Sequence, residues 1–371
     1  MDERALTERL LTYDTSTLEG MQSAAGFVKG WLEARDVEVT GTVHNGRPVL
    51  AATVGAAASG PTIVLHGHLD VVPGRPEQFT PRAEDDRLYG RGAYDMKGGL
   101  AAMMCALHDL TAQDRVRVHF LCVSDEESED LEQRGSDYLV EQGYIGNFAI
   151  TGEPTNMHIG IQAKGVLAMR IEITGKAAHG STPWVGDNAV LKAFDIFRRI
   201  ETLPFARESS DMFDRPSINL GRIWGGDALN KVPDMCVIDV DVRYLPGQNP
   251  ESIKAAVNDI ADARVVKVFH RRPAMVARDD PFVQALGKAI SHIGPPPGEQ
   301  LSVGRDGASD AISFLEAGVP AVECGPVGDG HHGPEEWVSI RSLRDYRLAL
   351  VEFVNLLPGQ MGQEERPLRI A

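Results

Sequence analysis

Short apolar runs alternate with helical segments in the N-terminal part of the chain. Residues 62–65 are apolar on consecutive positions, which is typical of a strand buried on both faces of a parallel sheet. Further strands are predicted at 37–42, 48–54, 117–124 and 148–151, and helices at 24–35 and 98–110. This repeated strand–helix order predicts an α/β fold with a doubly wound, mostly parallel sheet.

The pattern changes after about residue 164. Residues 166–174 alternate apolar and polar side chains, as an antiparallel strand with one exposed face does. Strands are then predicted at 217–223, 235–243 and 265–270, with helices at 188–200 and 251–263. The strand–helix order returns after residue 272, with helices at 281–292, 310–317 and 342–356 and strands near Gln300 and at 321–324. We therefore expect an α+β domain, residues 164–273, inserted between two parts of the first domain, residues 1–163 and 274–371.

Composition narrows the class of protein. A chain of 371 residues, 43% hydrophobic and 24% charged, suits two globular domains. No apolar run approaches the roughly 20 residues that span a bilayer, and the N-terminus does not resemble a secretory signal. The four cysteines form no CxxC pair, so we expect a reducing, cytoplasmic location. The net charge of -16 disfavours nucleic acid as a partner, because phosphate binding needs clustered cations.

Histidines or acids follow four of the predicted strands. His68 follows the first apolar run, Glu126 and Glu127 follow 117–124, and Glu153 follows 148–151. A glycine-rich loop after 321–324 leads to the adjacent residues His331 and His332, and Asp95 stands before the helix at 98–110. Because open α/β sheets bind their ligands at the carboxyl ends of the strands, we expect these side chains to converge.

Imidazoles combined with carboxylates suit divalent ions, above all Zn²⁺, with Co²⁺ or Mn²⁺ as alternatives. Two such ions about 3.5–4 Å apart polarise a carbonyl and activate water. Asp70 lies two residues after His68 and is placed to orient its ring. Of the two adjacent glutamates, one can bind metal while the other acts as general base, and spacing alone does not order them. We assign Glu127 to the metal and Glu126 to the base.

Five segments together resemble a known family. They are, in order, residues 68–73 (HLDVVP), 90–99 (GRGAYDMKGG), 125–127 (DEE), 151–154 (TGEP) and 332–336 (HGPEE). They resemble the metallopeptidases and deacylases that include acetylornithine deacetylase, succinyl-diaminopimelate desuccinylase, aminoacylase and glutamate carboxypeptidase. The resemblance implies a di-zinc catalytic domain with an inserted lid domain that often dimerises, and hence a homodimer.

The same resemblance implies a role for each matching residue. His68 and Glu153 would bind one ion, and Glu127 and His332 the other, with Asp95 bridging. Glu126 matches the general base, which agrees with the assignment above. The His-x-x-x-Glu spacing selects His332 with Glu336, although His331 stays an alternative ligand.

The inserted segment resembles the family's lid. Residues 175–183 (GKAAHGSTP) resemble the segment whose histidine, here His179, donates to the substrate carbonyl oxygen. Residues 225–233 and 241–243 imply substrate contacts from Asn230 and Arg243, and residues 307–310 (GASD) a pocket loop with Ser309. Arg243 suits a substrate carboxylate, although pairing with a structural acid is an equal alternative.

The resemblance favours an enzyme that cleaves the amide bond of an N-acyl amino acid, nearest to the desuccinylase branch. Arg305 and Lys231 are candidates for binding a second substrate carboxylate. A dipeptidase or carboxypeptidase of the same family is the alternative. A metal-free binding module of small molecules is a second alternative. A dinucleotide-binding oxidoreductase is disfavoured, because the fingerprint from Gly90 lacks its third glycine and a clear preceding strand.

Overall fold

The computed structural model describes residues 1–55, 60–128, 133–294 and 301–360. The chain divides into two compact units. Unit 1 consists of Met1–Ile161, Val276–Val303 and Asp310–Ala371, and unit 2 of Gln162–Met275 and Gly304–Ser309. The predicted insertion, 164–273, falls within unit 2, which also takes in a short later segment.

The helices, in chain order, are α1 (Glu3–Leu11), α2 (Leu18–Glu33), α3 (Gly98–Asp109), α4 (Gly135–Glu141), α5 (Ala189–Ile200), α6 (Pro250–Asn258), α7 (Pro281–Ile293), α8 (Ala311–Glu316) and α9 (Ile340–Gln360). The strands are β1 (Val39–His44), β2 (Arg47–Val54), β3 (Thr62–His68), β4 (Arg82–Glu84), β5 (Arg87–Tyr89), β6 (Arg117–Val123), β7 (Phe148–Thr151), β8 (Ile159–Ala163), β9 (Gly165–Thr174), β10 (Ser217–Gly225), β11 (Met235–Tyr244), β12 (Ala263–Arg271), β13 (Ala274–Met275), β14 (Ser302–Arg305), β15 (Ala321–Glu323), β16 (Gly328–Asp329) and β17 (Trp337–Ser339).

The central sheet of unit 1 has the strand order β1-β2-β6-β3-β7-β15-β8. Its middle strands β6, β3, β7 and β15 are parallel neighbours, whereas β1, β2 and β8 pair antiparallel. The central strands are buried on both faces, as Ile63, Val64 and Leu65 in β3 illustrate at 0% exposure. The predicted α/β fold with a mostly parallel sheet is confirmed.

Helix α3 is enclosed within unit 1, next to the central sheet. Its residues from Gly98 to Leu107 are all buried, so the helix is enclosed rather than amphipathic. It packs against α1 and α9 and contacts β3 and β6. The helix therefore begins at a fixed place beside the carboxyl ends of the strands.

Unit 2 is built on an antiparallel sheet with the order β10-β11-β9-β12. One face packs against α5 and α6 and contains a separate apolar core, which includes Ile171, Ile238 and Ile196. Along β9, buried residues alternate with the partly exposed Ala168, Arg170 and Glu172. The alternation in the sequence predicts this half-exposed strand.

Several elements differ from the sequence-based expectations. The charged segment that we expected to hold no strand forms the β4–β5 hairpin, in which Leu88 is fully buried while Arg82 and Glu84 face solvent. Helix α6 ends at Asn258, before the predicted residue 263. Gln300 lies outside the described residues, and β14 begins two residues later. Among the helices that the structure describes, none is both long and apolar enough to cross a membrane.

Candidate functional site

His68, the last residue of β3, lies at the centre of an acidic cluster in unit 1. Its side chain is fully buried, and Nε2 lies 3.2 Å from Asp95 Oδ1 and 3.6 Å from Glu153 Oε1. Nδ1 lies 2.9 Å from the backbone carbonyl oxygen of Asp70. A proton on Nδ1 that is donated to this oxygen leaves the Nε2 lone pair directed at the acids, as a metal ligand requires.

The Asp70 carboxylate joins two loops of the site. Its oxygens accept hydrogen bonds from the backbone N–H groups of Glu126, at 3.3 Å, and Glu127, at 2.9 Å. The segment after β3 is thereby fixed to the segment after β6. Asp70, predicted to orient His68, therefore also positions both neighbouring glutamates.

Asp95 is positioned by the buried carboxylate of Glu336, which is 1% exposed. Glu336 Oε1 accepts from the backbone N–H groups of Tyr94 at 3.0 Å and Asp95 at 3.1 Å. Its Oε2 accepts from Gly92 N–H at 3.0 Å and from Arg91 Nη1 at 2.8 Å. Four donors therefore hold the loop before α3 and occupy both Glu336 oxygens.

The structure brings both His331 and His332 to Asp95. His332 Nε2 lies 3.2 Å from Asp95 Oδ2 and 2.9 Å from Glu127 Oε1. His331 Nε2 forms a close contact with the same Asp95 oxygen. His332 has a left-handed backbone, with φ at 58°, which turns the two neighbouring rings towards one acid. The contact with Glu127 favours His332 as the predicted ligand.

Two groups of potential metal ligands share Asp95. One consists of His68, Asp95 and Glu153, and the other of Asp95, His331 and His332. Within each group the ligand atoms lie within 4.8 Å of one another. The donor set, imidazole nitrogens with carboxylate oxygens, fits zinc-type ions. Glu127 joins the second group through His332.

The electrostatics of the cluster also favour bound cations. Hydrogen bonds to Asp95 and Glu127 raise the pKa of His332 to about 10. Burial and the neighbouring Asp95 carboxylate raise the pKa of Glu153 above its usual range. Both shifts reflect negative charge concentrated in a small, poorly solvated volume. A divalent cation neutralises such charge, so these residues fit the metal that the sequence predicts.

Glu126 has different partners from its neighbour Glu127. Its Oε1 accepts a hydrogen bond from Arg134 Nη1 at 2.8 Å, and its side chain is 23% exposed. Burial and the nearby Asp310 raise the pKa of Glu126. Arg134 was not among the residues predicted for the site. A lone arginine after the acidic run from 125 to 132 was the available signal.

The predicted substrate residues lie in unit 2. His179 is exposed, with Nδ1 2.7 Å from Ser181 Oγ, and the next residue's N–H donates to Asn230 O at 2.7 Å. The His179 and Asn230 segments are therefore neighbours. Arg243 Nε donates to Asp241 Oδ2 at 2.9 Å, so this cation already pairs with an acid of its own strand.

Two further residues predicted to contact substrate, Ser309 and Lys231, also lie in unit 2. Ser309 is buried at 6% exposure. Lys231, a candidate for a second substrate carboxylate, pairs with Asp227 at 2.9 Å and Asp234 at 3.1 Å.

The chain is similar to known proteins over most of its length. Residues 64–356 match the peptidase family M20/M25/M40. A succinyl-diaminopimelate desuccinylase of Hydrogenovibrio crunogenus is 29% identical over 81% of this chain and 85% of its own. An acetylornithine deacetylase of Proteus mirabilis is 28% identical over 96% of this chain and 93% of its own.

Solved structures share the fold. A tripeptidase of Staphylococcus aureus superposes with a TM-score of 0.80 at 21% identity, covering 96% of this chain and 98% of that chain. The family match spans most of the sequence and includes every proposed metal-binding segment. The chain therefore belongs to the peptidase family M20/M25/M40 and is a metal-dependent hydrolase that acts on amide bonds.

Proposed function

We propose that this protein hydrolyses the amide bond of an N-acyl amino acid, as a deacetylase or desuccinylase does, with two zinc ions. The observation on which this proposal chiefly rests is that Asp95 belongs to both groups of potential ligands. A carboxylate shared in this way suits a bridge between two cations. The two relatives described above, a desuccinylase and a deacetylase, match this chain over most of their own length. This match favours an N-acyl amino acid over a peptide as the substrate.

His68 and Glu153 would hold one ion, His332 and Glu127 the other, and Asp95 both. Such ions, when bound, polarise the scissile carbonyl and make water more acidic. Asp70 and Glu336 keep the ligands in place through the backbone hydrogen bonds described above. The chain's own contribution to binding is therefore a preorganised set of acids.

Glu126 acts as the general base in this proposal. Its carboxylate takes a proton from the attacking water and returns it to the leaving amine nitrogen. Its raised pKa favours such exchange near neutral pH. His179 would donate to the carbonyl oxygen, with Asn230, Arg243 and Ser309 binding the rest of the substrate.

The test uses zinc-loaded protein incubated with N-acetyl amino acids, N-succinyl amino acids and dipeptides, with products identified by mass spectrometry. We expect hydrolysis of an N-acyl amino acid, and loss of at least about 10²-fold in kcat for Glu126→Gln with zinc content unchanged. Cleavage of dipeptides alone would refute the deacylase proposal in favour of the peptidase alternative. Full activity in the variant would refute the role of Glu126.

We further propose that unit 2 is a lid that forms a homodimer. Helix α5 exposes Leu191 at 63% and Phe194 at 50%, and the edge strand β10 exposes Trp224 at 46%. Exposed apolar side chains beside an unpaired strand edge suit a second copy of the same surface. Sedimentation should give a dimer for the parent protein and a monomer for Leu191→Glu with Phe194→Glu. The control Val43→Glu, at an exposed valine of unit 1, should leave the dimer intact.

A further inference from the structure

A polar cluster, buried except for part of Glu126 and Arg134, surrounds the proposed base. It consists of Glu126, Arg134, Asp310, Ser136 and His66, and we call it the base-anchor cluster. Arg134 Nη1 donates to Glu126 Oε1 and to Asp310 Oδ1, both at 2.8 Å. One nitrogen of a single arginine therefore connects the base with a second acid from a distant part of the chain.

Asp310 is itself held in place. Its side chain is fully buried, and Oδ2 accepts from Ser136 Oγ at 3.1 Å. The same Ser136 hydroxyl lies 2.9 Å from Nε2 of the buried His66, in β3. The acid that anchors Arg134 is thus connected to the central sheet and cannot move freely.

The backbone around Arg134 is fixed to the same loop. The N–H of Gly135 donates to Asp125 Oδ2 at 2.7 Å, next to Glu126 in the chain. The Arg134 side chain is 12% exposed. A poorly hydrated guanidinium between two carboxylates keeps its geometry, because leaving either acid unpaired there is costly.

We propose that Arg134 is a positioning residue that holds Glu126 in its role as base, an inference that rests on the proposed function. The hydrogen bond to Oε1 restricts rotation of the carboxylate and leaves Oε2 to exchange the proton. It also separates the two adjacent glutamates. Glu127 contacts His332, whereas Glu126 is held by Arg134, which keeps a second strong carboxylate ligand out of the metal site.

The test compares Arg134→Gln and Arg134→Lys with a matched control. Arg347 likewise joins two carboxylates, those of Glu3 and Asp109, at 2.7 to 2.8 Å, and lies outside the proposed site. Arg347→Gln therefore removes an equivalent bridge. Zinc content, kcat and KM are measured for each variant on the N-acyl substrate that the parent protein hydrolyses fastest.

We expect Arg134→Gln to lower kcat by about 30- to 100-fold with KM within threefold and zinc content unchanged, because a small misplacement of a reacting group has this effect. Arg134→Lys should recover part of the loss, and Arg347→Gln should keep the parent kcat. A kcat for Arg134→Gln within threefold of the parent value would overturn the inference. Loss of zinc from that variant would also overturn it, because Arg134 would then support the metal ligands instead.

Crystals of the zinc-loaded parent and Arg134→Gln proteins separate this inference from the proposed function. Failure of the parent protein to hydrolyse any N-acyl substrate would refute the proposed function alone. The inference predicts that the Glu126 carboxylate turns away from its parent position, or onto a zinc ion, in the variant. An unchanged Glu126 side chain in both crystals would contradict it.

Discussion

The acids around this site differ in which hydrogen-bond donors their carboxylate oxygens bind, more than in their distance from Asp95. Glu336 lies close to Asp95, yet four donors occupy its two oxygens. Glu127 has a backbone partner for its N–H and a histidine ring for its carboxylate. A carboxylate whose lone pairs already accept hydrogen bonds is a poor metal ligand, but it fixes the position of the groups that donate to it. In the proposed site, Glu336 would therefore act on the metal only through the Asp95 loop.

Replacing Glu336 with glutamine tests whether this carboxylate holds the Asp95 loop in place. The amide group offers two donors where the loop needs an acceptor, and it leaves the buried Arg91 without its counter-ion. We expect Glu336→Gln to lower the free energy of unfolding by about 3 kcal/mol and to reduce zinc content. Urea denaturation and elemental analysis measure the two effects.

The adjacent Glu335 provides the control. Its side chain is 73% exposed and pairs with Arg82 at the surface. Glu335→Gln should change stability by less than about 0.5 kcal/mol. Equal effects from the two variants would show that position 336 has no special role.

At this scale the sequence predicts which segments converge but not every contact within them. The strand ends predicted that His68, Glu153 and the paired glutamates converge; in the structure His68 and Glu153 belong to one ligand group, and the Glu127 carboxylate contacts His332. The residues alone leave His331 and His332 as alternatives, and only the spacing known from the family selects His332, because the relative placement of the two rings depends on a left-handed backbone at His332 that the sequence pattern does not encode.

At the scale of elements, close packing at the start of α3 positions part of the site. A Cβ atom at Gly99 would lie 2.5 Å from the carbonyl oxygen of Gly152, which precedes Glu153. The helix therefore approaches the end of β7 more closely than a side chain allows. Its first turn and the Glu153 segment are fixed relative to each other by this contact.

Gly99→Ala should thus be destabilising although alanine favours helices. We expect a loss of about 2 kcal/mol, because backbone atoms must move, together with weaker zinc binding through Glu153. Gly26→Ala is the matched control, since Gly26 lies within α2 and a Cβ there meets nothing within 4 Å. That control should gain about 0.5–1 kcal/mol. Urea denaturation distinguishes the opposite signs, and a stabilised Gly99→Ala protein would disprove the packing argument.

The elements themselves differ in how well the sequence predicts them. Strand β7 occupies the predicted residues 148–151, and α3 begins at the predicted residue 98. Both are mostly apolar and buried, so burial and local pattern agree. The β4–β5 hairpin was missed because, of its strand residues, only Leu88 is buried, and three of the others are charged and exposed. Its stability comes from pairing with β17, which is distant in sequence.

At the scale of the whole molecule, the two units have separate apolar cores and only one contains proposed metal ligands. The core of unit 2 is formed by residues of β9, β11, α5 and α6 with their neighbours. The proposed ligands, from His68 to His332, all belong to unit 1. Because a ligand stabilises only the structure that binds it, zinc should act on unit 1.

Removing the metal should therefore separate the thermal unfolding of the units. In calorimetry, chelation with EDTA should lower the transition of unit 1 by several degrees, since binding at 100 times Kd contributes about 2.7 kcal/mol. The transition of unit 2 should not move, and excess zinc should reverse the change. Equal shifts of both transitions would contradict this independence.

The sharing of Asp95 between ligands that are far apart in the sequence also has a consequence for biosynthesis. On the ribosome, a nascent chain can present His68, Asp95 and Glu153 long before the segment with His332 has been made. Glu336, which holds the Asp95 loop, follows all five proposed ligands in the chain, so neither set of ligands is preorganised until residues 332–336 have been made. We therefore expect both ions to bind tightly only after the last segments of the chain have been synthesised.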